Sequence, residues 1–197
     1  MIALPPRARM LSLLVLVAIL SVTAHATGIS ATATYTDTLA SPGVYDYSIT
    51  LNDTGTTTIG TFWFSWIPGT GFLSATPTDL TSPTGWTETL KPAAAGKIGI
   101  QWTTTITGDD LDPGWSLTGF SFESTETPAE LLLDFPGTGT GAGDPITTST
   151  VYSGAPLVGT GDTFVATAAP EPGTMLLTLT GLGLAAACFK SRLLRRA

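Results

Sequence analysis

The chain is short of charge and of the side chains that enzymes most often use. Charged residues make up 12% of its 197 positions. It has one cysteine, Cys188, and one histidine, His25. Its arginines all lie at the two ends: Arg7 and Arg9 near the start, Arg192, Arg195 and Arg196 at the finish. A single cysteine excludes an intramolecular disulfide. Residues 27–169 hold no histidine, cysteine or arginine. That stretch can build no Ser-His-Asp triad, no Cys-His dyad and no His or Cys zinc site. Its only cations are Lys91 and Lys97, set against fourteen carboxylates, for a net charge near −12. Such a surface stays soluble and repels nucleic acid and anionic lipid, so no nucleic-acid partner is expected.

What is abundant is threonine, glycine and proline. Threonine favours strands; glycine and proline favour turns. Alternating apolar and polar residues mark half-buried strands. In "VYDYSITLN", Tyr45, Tyr47, Ile49 and Leu51 share one face. "IGTFWFSWIP" offers Phe62, Phe64 and Trp66 to one side and Trp63 and Ile67 to the other. "GKIGIQWTTTI" aligns Ile98, Ile100 and Trp102. In "GWSLTGFSFES" the phase slips between Trp115 and Leu117 on one side and Phe120 and Phe122 on the other, which predicts a bulge at Thr118-Gly119. Weaker strands are read at residues 29–39, 86–90, 146–152 and 163–167. About eight short strands with no amphipathic helix predict an all-β, antiparallel two-sheet sandwich, immunoglobulin-like, over residues 27–167. Residues 136–145, "PGTGTGAGDP", read as a long loop.

Candidate chemistry is sparse. "GDDLDPG" clusters Asp109, Asp110 and Asp112, hard oxygen ligands at a spacing that suits Ca²⁺, although acidic turns are common and the run lacks the fuller EF-hand pattern. No other metal and no cofactor is expected. Of the five tryptophans, Trp63 lies on the strand face opposite Phe62 and Phe64 and is the candidate for stacking on a sugar ring, with core packing the default. A glycosidase needs only two carboxylates, but nothing in the sequence singles out a pair. Asn52-Asp53-Thr54 is read as a turn rather than a glycosylation site.

The two ends carry signals. Arg7 and Arg9, an apolar run over residues 11–20, and Ala24-His25-Ala26 form the layout of a secretory signal peptide, residues 1–26. Ala24 and Ala26 supply the small residues that signal peptidase requires, and cleavage after Ala26 removes the only histidine. At the other end, Pro170-Glu171-Pro172 favours an extended chain. Residues 173–189 are apolar apart from threonines and span roughly 25 Å as a helix, a marginal transmembrane length. Lys190, Arg192, Arg195 and Arg196 follow at once and hold the tail (residues 190–197) in the cytoplasm.

This order of Pro-Glu-Pro, apolar run and basic tail over residues 168–197 resembles the PEP-CTERM sorting signal of Gram-negative bacteria, whose members also begin with a signal peptide. Ala169 and Gly173 stand where many members have Val and Ser or Thr. The stretches "YDYSITLNDTGTTTIGTFWFSWIPG", "PGWSLTGFSFES" and "VYSG" are similar to domains found in such proteins. The resemblance implies that exosortase, a membrane-embedded transpeptidase-like enzyme, processes this chain. It implies transit through the inner membrane to the cell surface or extracellular matrix, in the company of extracellular polysaccharide. The expectation is a non-enzymatic surface or biofilm-matrix protein; the alternative is a carbohydrate-binding module. Replacing Pro170-Glu171-Pro172 by three alanines leaves the apolar run and basic tail untouched, so the chain should still insert. It should then accumulate uncleaved at the inner membrane, as fractionation and mass spectrometry of the C-terminus would show. Normal surface delivery of that variant would leave only a plain membrane anchor.

Overall fold

Along the strand Val44–Asp53, Tyr47, Ile49 and Leu51 are buried, and the residues between them are open to solvent to varying degrees. A β-strand sends successive side chains to opposite faces, so this one strand defines an inside and an outside. The structure is a computed structural model that describes residues 28–93, 96–133, 144–154 and 159–170. The expected signal peptide, residues 136–143 of the expected loop, Glu171, Pro172, the apolar run and the basic tail lie outside the described residues.

Twelve strands are present among the described residues: β1 (Ala31–Ser41), β2 (Val44–Asp53), β3 (Thr61–Phe64), β4 (Trp66–Ile67), β5 (Thr70–Gly71), β6 (Thr78–Thr81), β7 (Trp86–Pro92), β8 (Ile98–Thr104), β9 (Ser116–Ser124), β10 (Thr148–Tyr152), β11 (Asp162–Val165) and β12 (Thr167–Ala168). One five-stranded sheet has the order β12-β1-β2-β9-β6 and the other β11-β10-β3-β8-β7, with β4-β5 a small ribbon. Pairing is antiparallel throughout, except that β12 joins β1 in parallel. The expected antiparallel sandwich is therefore present. A single-turn helix, α1 (Pro128–Leu131), is held by a reciprocal capping box between Thr127 and Glu130. Among the described residues no helix is long and apolar enough to cross a membrane.

The core between the sheets is aromatic. Phe62 stacks on Trp102 at 5.5 Å between ring centroids. Phe120 meets Phe62, Trp86 and Trp102 edge to face at 5.3–5.5 Å. Phe122 stacks on Tyr47 at 5.1 Å. Phe120 reaches this position through the predicted bulge. Ile49 pairs with Phe120 but Leu51 pairs with Leu117, so Thr118 and Gly119 together oppose Thr50. Gly119 takes φ 101°, which costs a glycine little. The extra residue returns both Leu117 and Phe120 to the inner side.

One expectation needs correction. Trp66 does not share a face with Phe62 and Phe64. Ser65 sits at φ 54° and donates its hydroxyl to the Ile146 carbonyl. The alternation breaks there, and Trp66 folds across the outer side of the second sheet. It lies on Trp63 at 3.8 Å with the rings 18° from parallel, and Tyr152 completes this small second cluster. Gly99 lies beneath: a Cβ there would stand 2.8 Å from Trp66 Cδ1. Because Phe120 is fully buried among three aromatic rings, Phe120→Ala should cost about 3–5 kcal/mol. A urea unfolding midpoint within error of the parent's would contradict this packing.

Candidate functional site

Four connections meet at one end of the sandwich. The segment 105–115, between β8 and β9, crosses from one sheet to the other. It is pinned by Thr105 N donating to Gly85 O (3.0 Å) and by a reciprocal backbone pair between Ile59 and Leu111 (2.9 Å each way). Gly60 N donates to Tyr152 O at 3.0 Å, which brings the end of β10 to the same place. Beside the crossing lies a cleft of about 320 Å³ lined by Thr103–Thr107, Asp110, Ser153 and Gly154. Threonine and serine supply most of its lining residues, with one carboxylate and the exposed side chain of Ile106.

The three clustered aspartates diverge. Asp109 lies over Gly85, where no Cβ would fit, and its carbonyl accepts from Trp86 Nε1 at 3.0 Å. Asp110 Oδ1 accepts from the Thr104 hydroxyl at 2.7 Å. Asp112 is exposed. Among the described residues, no three His, Cys, Asp or Glu side chains converge to hold a metal ion. The aspartates fix the crossing segment rather than gather around one point.

Directly after Asp112 comes the most exposed large apolar side chain among the described residues, Trp115, at 68%. Asp112-Pro113-Gly114-Trp115 is a tight turn: Trp115 N donates to Asp112 O at 3.1 Å, and Gly114 has φ 80°. Proline followed by a glycine of positive φ is the type II pattern. Asp53 clamps the turn on both sides. Its N–H donates to Trp115 O and its carbonyl accepts from Gly114 N, each at 3.0 Å. Ser116 Oγ donates to Asn52 Oδ1 at 2.6 Å on the strand pair that follows the turn. An open indole on a fixed backbone can pack its face on the C–H face of a sugar ring.

Trp63 is not that platform. It does face away from the main core, as its phase requires, but Trp66 and Tyr152 cover it to 4% exposure. Its Nε1 is buried with no hydrogen-bond partner. The sequence reading missed Trp115 by treating it as in phase with Leu117. The Asp-Pro-Gly immediately before it is the signal that it belongs to a turn.

The Asp53 side chain is 2% exposed. Its Oδ1 accepts from Gly55 N at 2.8 Å, and Oδ2 is buried with no partner. Burial pushes this carboxyl above the usual aspartate range; the Gly55 hydrogen bond opposes the shift and the charge of Asp112 adds to it.

No known family model matches the chain, and no curated protein matches it. Solved structures similar to it include a CBM3 of Hungateiclostridium clariflavum, at 9% identity and TM-score 0.39, covering 74% of this chain and 100% of that one. A family IIIA CBD from Clostridium cellulolyticum is similar at 10% identity and TM-score 0.39, covering 73% and 99%. A biomass-sensing module of Clostridium thermocellum, described as resembling a family 3 carbohydrate-binding module, is similar at 16% identity and TM-score 0.34, covering 71% and 88%.

The raised Asp53 carboxyl sets a direction for stability. Ionised Asp53 penalises the folded chain fully above its folded pKa, and the penalty lifts as pH falls through that value toward about 3.9, the ordinary aspartate value. Asp53→Asn keeps an oxygen for Gly55 N and removes the charge. It should unfold at higher urea than the parent at pH 7, with the gap closing as pH falls through that window. An unchanged or lower midpoint at pH 7 would reject the assignment.

Proposed function

We propose that the domain is a non-catalytic, exported polysaccharide-binding module. The observation that carries this is Trp115, an indole open to solvent on a turn that Asp53 and Pro113-Gly114 hold rigid. A soluble domain gains little by exposing its largest apolar side chain; exposed, ordered tryptophans are enriched where proteins bind. The absence of histidine, cysteine and arginine from residues 27–169 supports a binding role over a catalytic one. The acidic surface suits a neutral or cation-bridged glycan better than an acidic one.

Delivery follows the order of the signals. The N-terminal segment is removed after Ala26, the apolar run at 173–189 halts export, and exosortase reads Pro170-Glu171-Pro172. The product then reaches the cell surface or matrix. The resemblance of residues 168–197 to the PEP-CTERM signal supports this route.

Binding is tested by co-sedimentation with a panel of insoluble polysaccharides and by the shift in tryptophan emission with soluble ones. Trp115→Ala should weaken binding about tenfold or more, the range of a central aromatic contact. Its unfolding midpoint should stay near the parent's, because the side chain is open to solvent. Trp63→Ala should do the reverse, lowering stability. A Trp115→Ala variant that binds as well as the parent, or a parent that binds no glycan of the panel, would end this reading.

A further inference from the structure

The end opposite Trp115 also exposes large apolar side chains. Leu39 is 64% exposed, Leu132 58% and Leu133 60%. Leu39 pairs with Tyr45 near the β1–β2 turn, and Tyr45 pairs with Ser124 at the end of β9. Leu39 is in phase with buried Tyr35 and so points to the inner side of its sheet. It is exposed because the hairpin runs on past the cover of the other sheet. Leu132 and Leu133 follow α1, whose approach is tied to this end by Tyr47 OH donating to Glu126 O at 2.6 Å.

The chain leaves the domain in this direction. β11 belongs to one sheet and β12 to the other, with buried Ala166 between them. β12 runs parallel to β1, pairing Thr34 with Thr167 and Tyr35 with Ala168, and Ala169 N donates to Tyr35 O at 2.8 Å. β1 itself runs on from Tyr35 to the exposed Leu39. Only residues 170–172 separate Ala169 from the apolar run. Three residues span at most roughly 10 Å.

From this we infer that, before processing, the Leu39, Leu132 and Leu133 end of the sandwich rests on the outer surface of the membrane that holds residues 173–189, with Trp115 directed away from it. The inference rests on the reading of residues 173–189 as a membrane span. The short tether supplies the proximity. Lys91 and Lys97 lie on the β7–β8 hairpin at this same end, outnumbered by Asp37, Asp46, Glu123 and Glu130, so the contact with anionic lipid depends mainly on the anchor. Three leucines entering the headgroup region add apolar burial of the kind that holds interfacial segments. Removal of the anchor then releases a domain whose glycan-binding end has been open throughout.

The test uses the full chain with Cys188→Ser as background and a single cysteine introduced by Leu39→Cys, Leu133→Cys or Ile106→Cys. Each is labelled with a fluorophore and reconstituted in vesicles of phosphatidylethanolamine and phosphatidylglycerol carrying a headgroup nitroxide lipid. Labels at 39 and 133 should lose roughly half their emission, while the label at 106 keeps its own. If the chain resists carbonate extraction and the labels at 39 and 133 are not quenched, the contact is absent although the anchor is real. If the chain is extracted by carbonate, the anchor reading fails and the inference fails with it. Equal quenching at 106 would mean that the domain lies on its side, against the proposed orientation. Self-quenching at 39 and 133 that rises with protein density, without nitroxide lipid, would identify a second copy as the occupant and overturn the lipid contact.

Discussion

Phe120 is the residue on which the sandwich depends. It reaches across from the first sheet into a corner formed by Phe62, Trp86 and Trp102 of the second. Edge-to-face rings add to the area they bury, and here one side chain makes three such contacts. The chain places it there only by inserting an extra residue at Thr118-Gly119. Without the bulge, a strand that keeps Leu117 inside would send Phe120 outside. The same strand therefore serves two needs: its first part continues the turn that carries Trp115, and its second part fills the core.

Much of the fold was legible because alternation is a local property. Tyr47, Ile49 and Leu51, and Ile100 with Trp102, are buried where their spacing puts them. The bulge was legible too, since a phase slip beside a glycine marks an inserted residue. What failed was the continuation of a pattern across a break. "FWFSW" alternates on paper, but Ser65 adopts a positive φ and bonds Ile146, eighty-one positions away in the chain. No local rule contains that partner. The structure thus moves Trp66 from the main core to a cover over Trp63.

The candidate site shows the same limit from the other side. Sequence proximity grouped Asp109, Asp110 and Asp112, but proximity along a crossing segment does not make side chains converge. Each aspartate is taken up by a different neighbour or by solvent: Gly85 and Trp86, then Thr104, then open water. Trp115 was hidden because its position depends on Asp53, sixty-two residues earlier, bonding both flanks of its turn. The Asp53 carboxyl keeps Oδ2 buried without a partner, a cost borne by the side chain and separate from the backbone bonds that hold the turn.

A two-ended molecule follows from these placements. The crossing segment 105–115, the cleft beside it and Trp115 occupy the end where β2 finishes and β9 begins. The β1–β2 turn, α1 and the direction of β12 belong to the other. The export and sorting signals proposed above would make no demand on the sequence of the sandwich beyond a suitable exit. That exit is an edge strand only two residues long, tied down as far as Ala169 N. On the function proposed above, an aromatic face at one end and an anchor at the other would let the domain be tethered and bind at the same time. Six of the eight Lys and Arg residues lie outside residues 27–169. The sandwich surface is therefore acidic apart from Lys91 and Lys97, and a module with that surface would owe any stay near anionic lipid to a tether more than to charge.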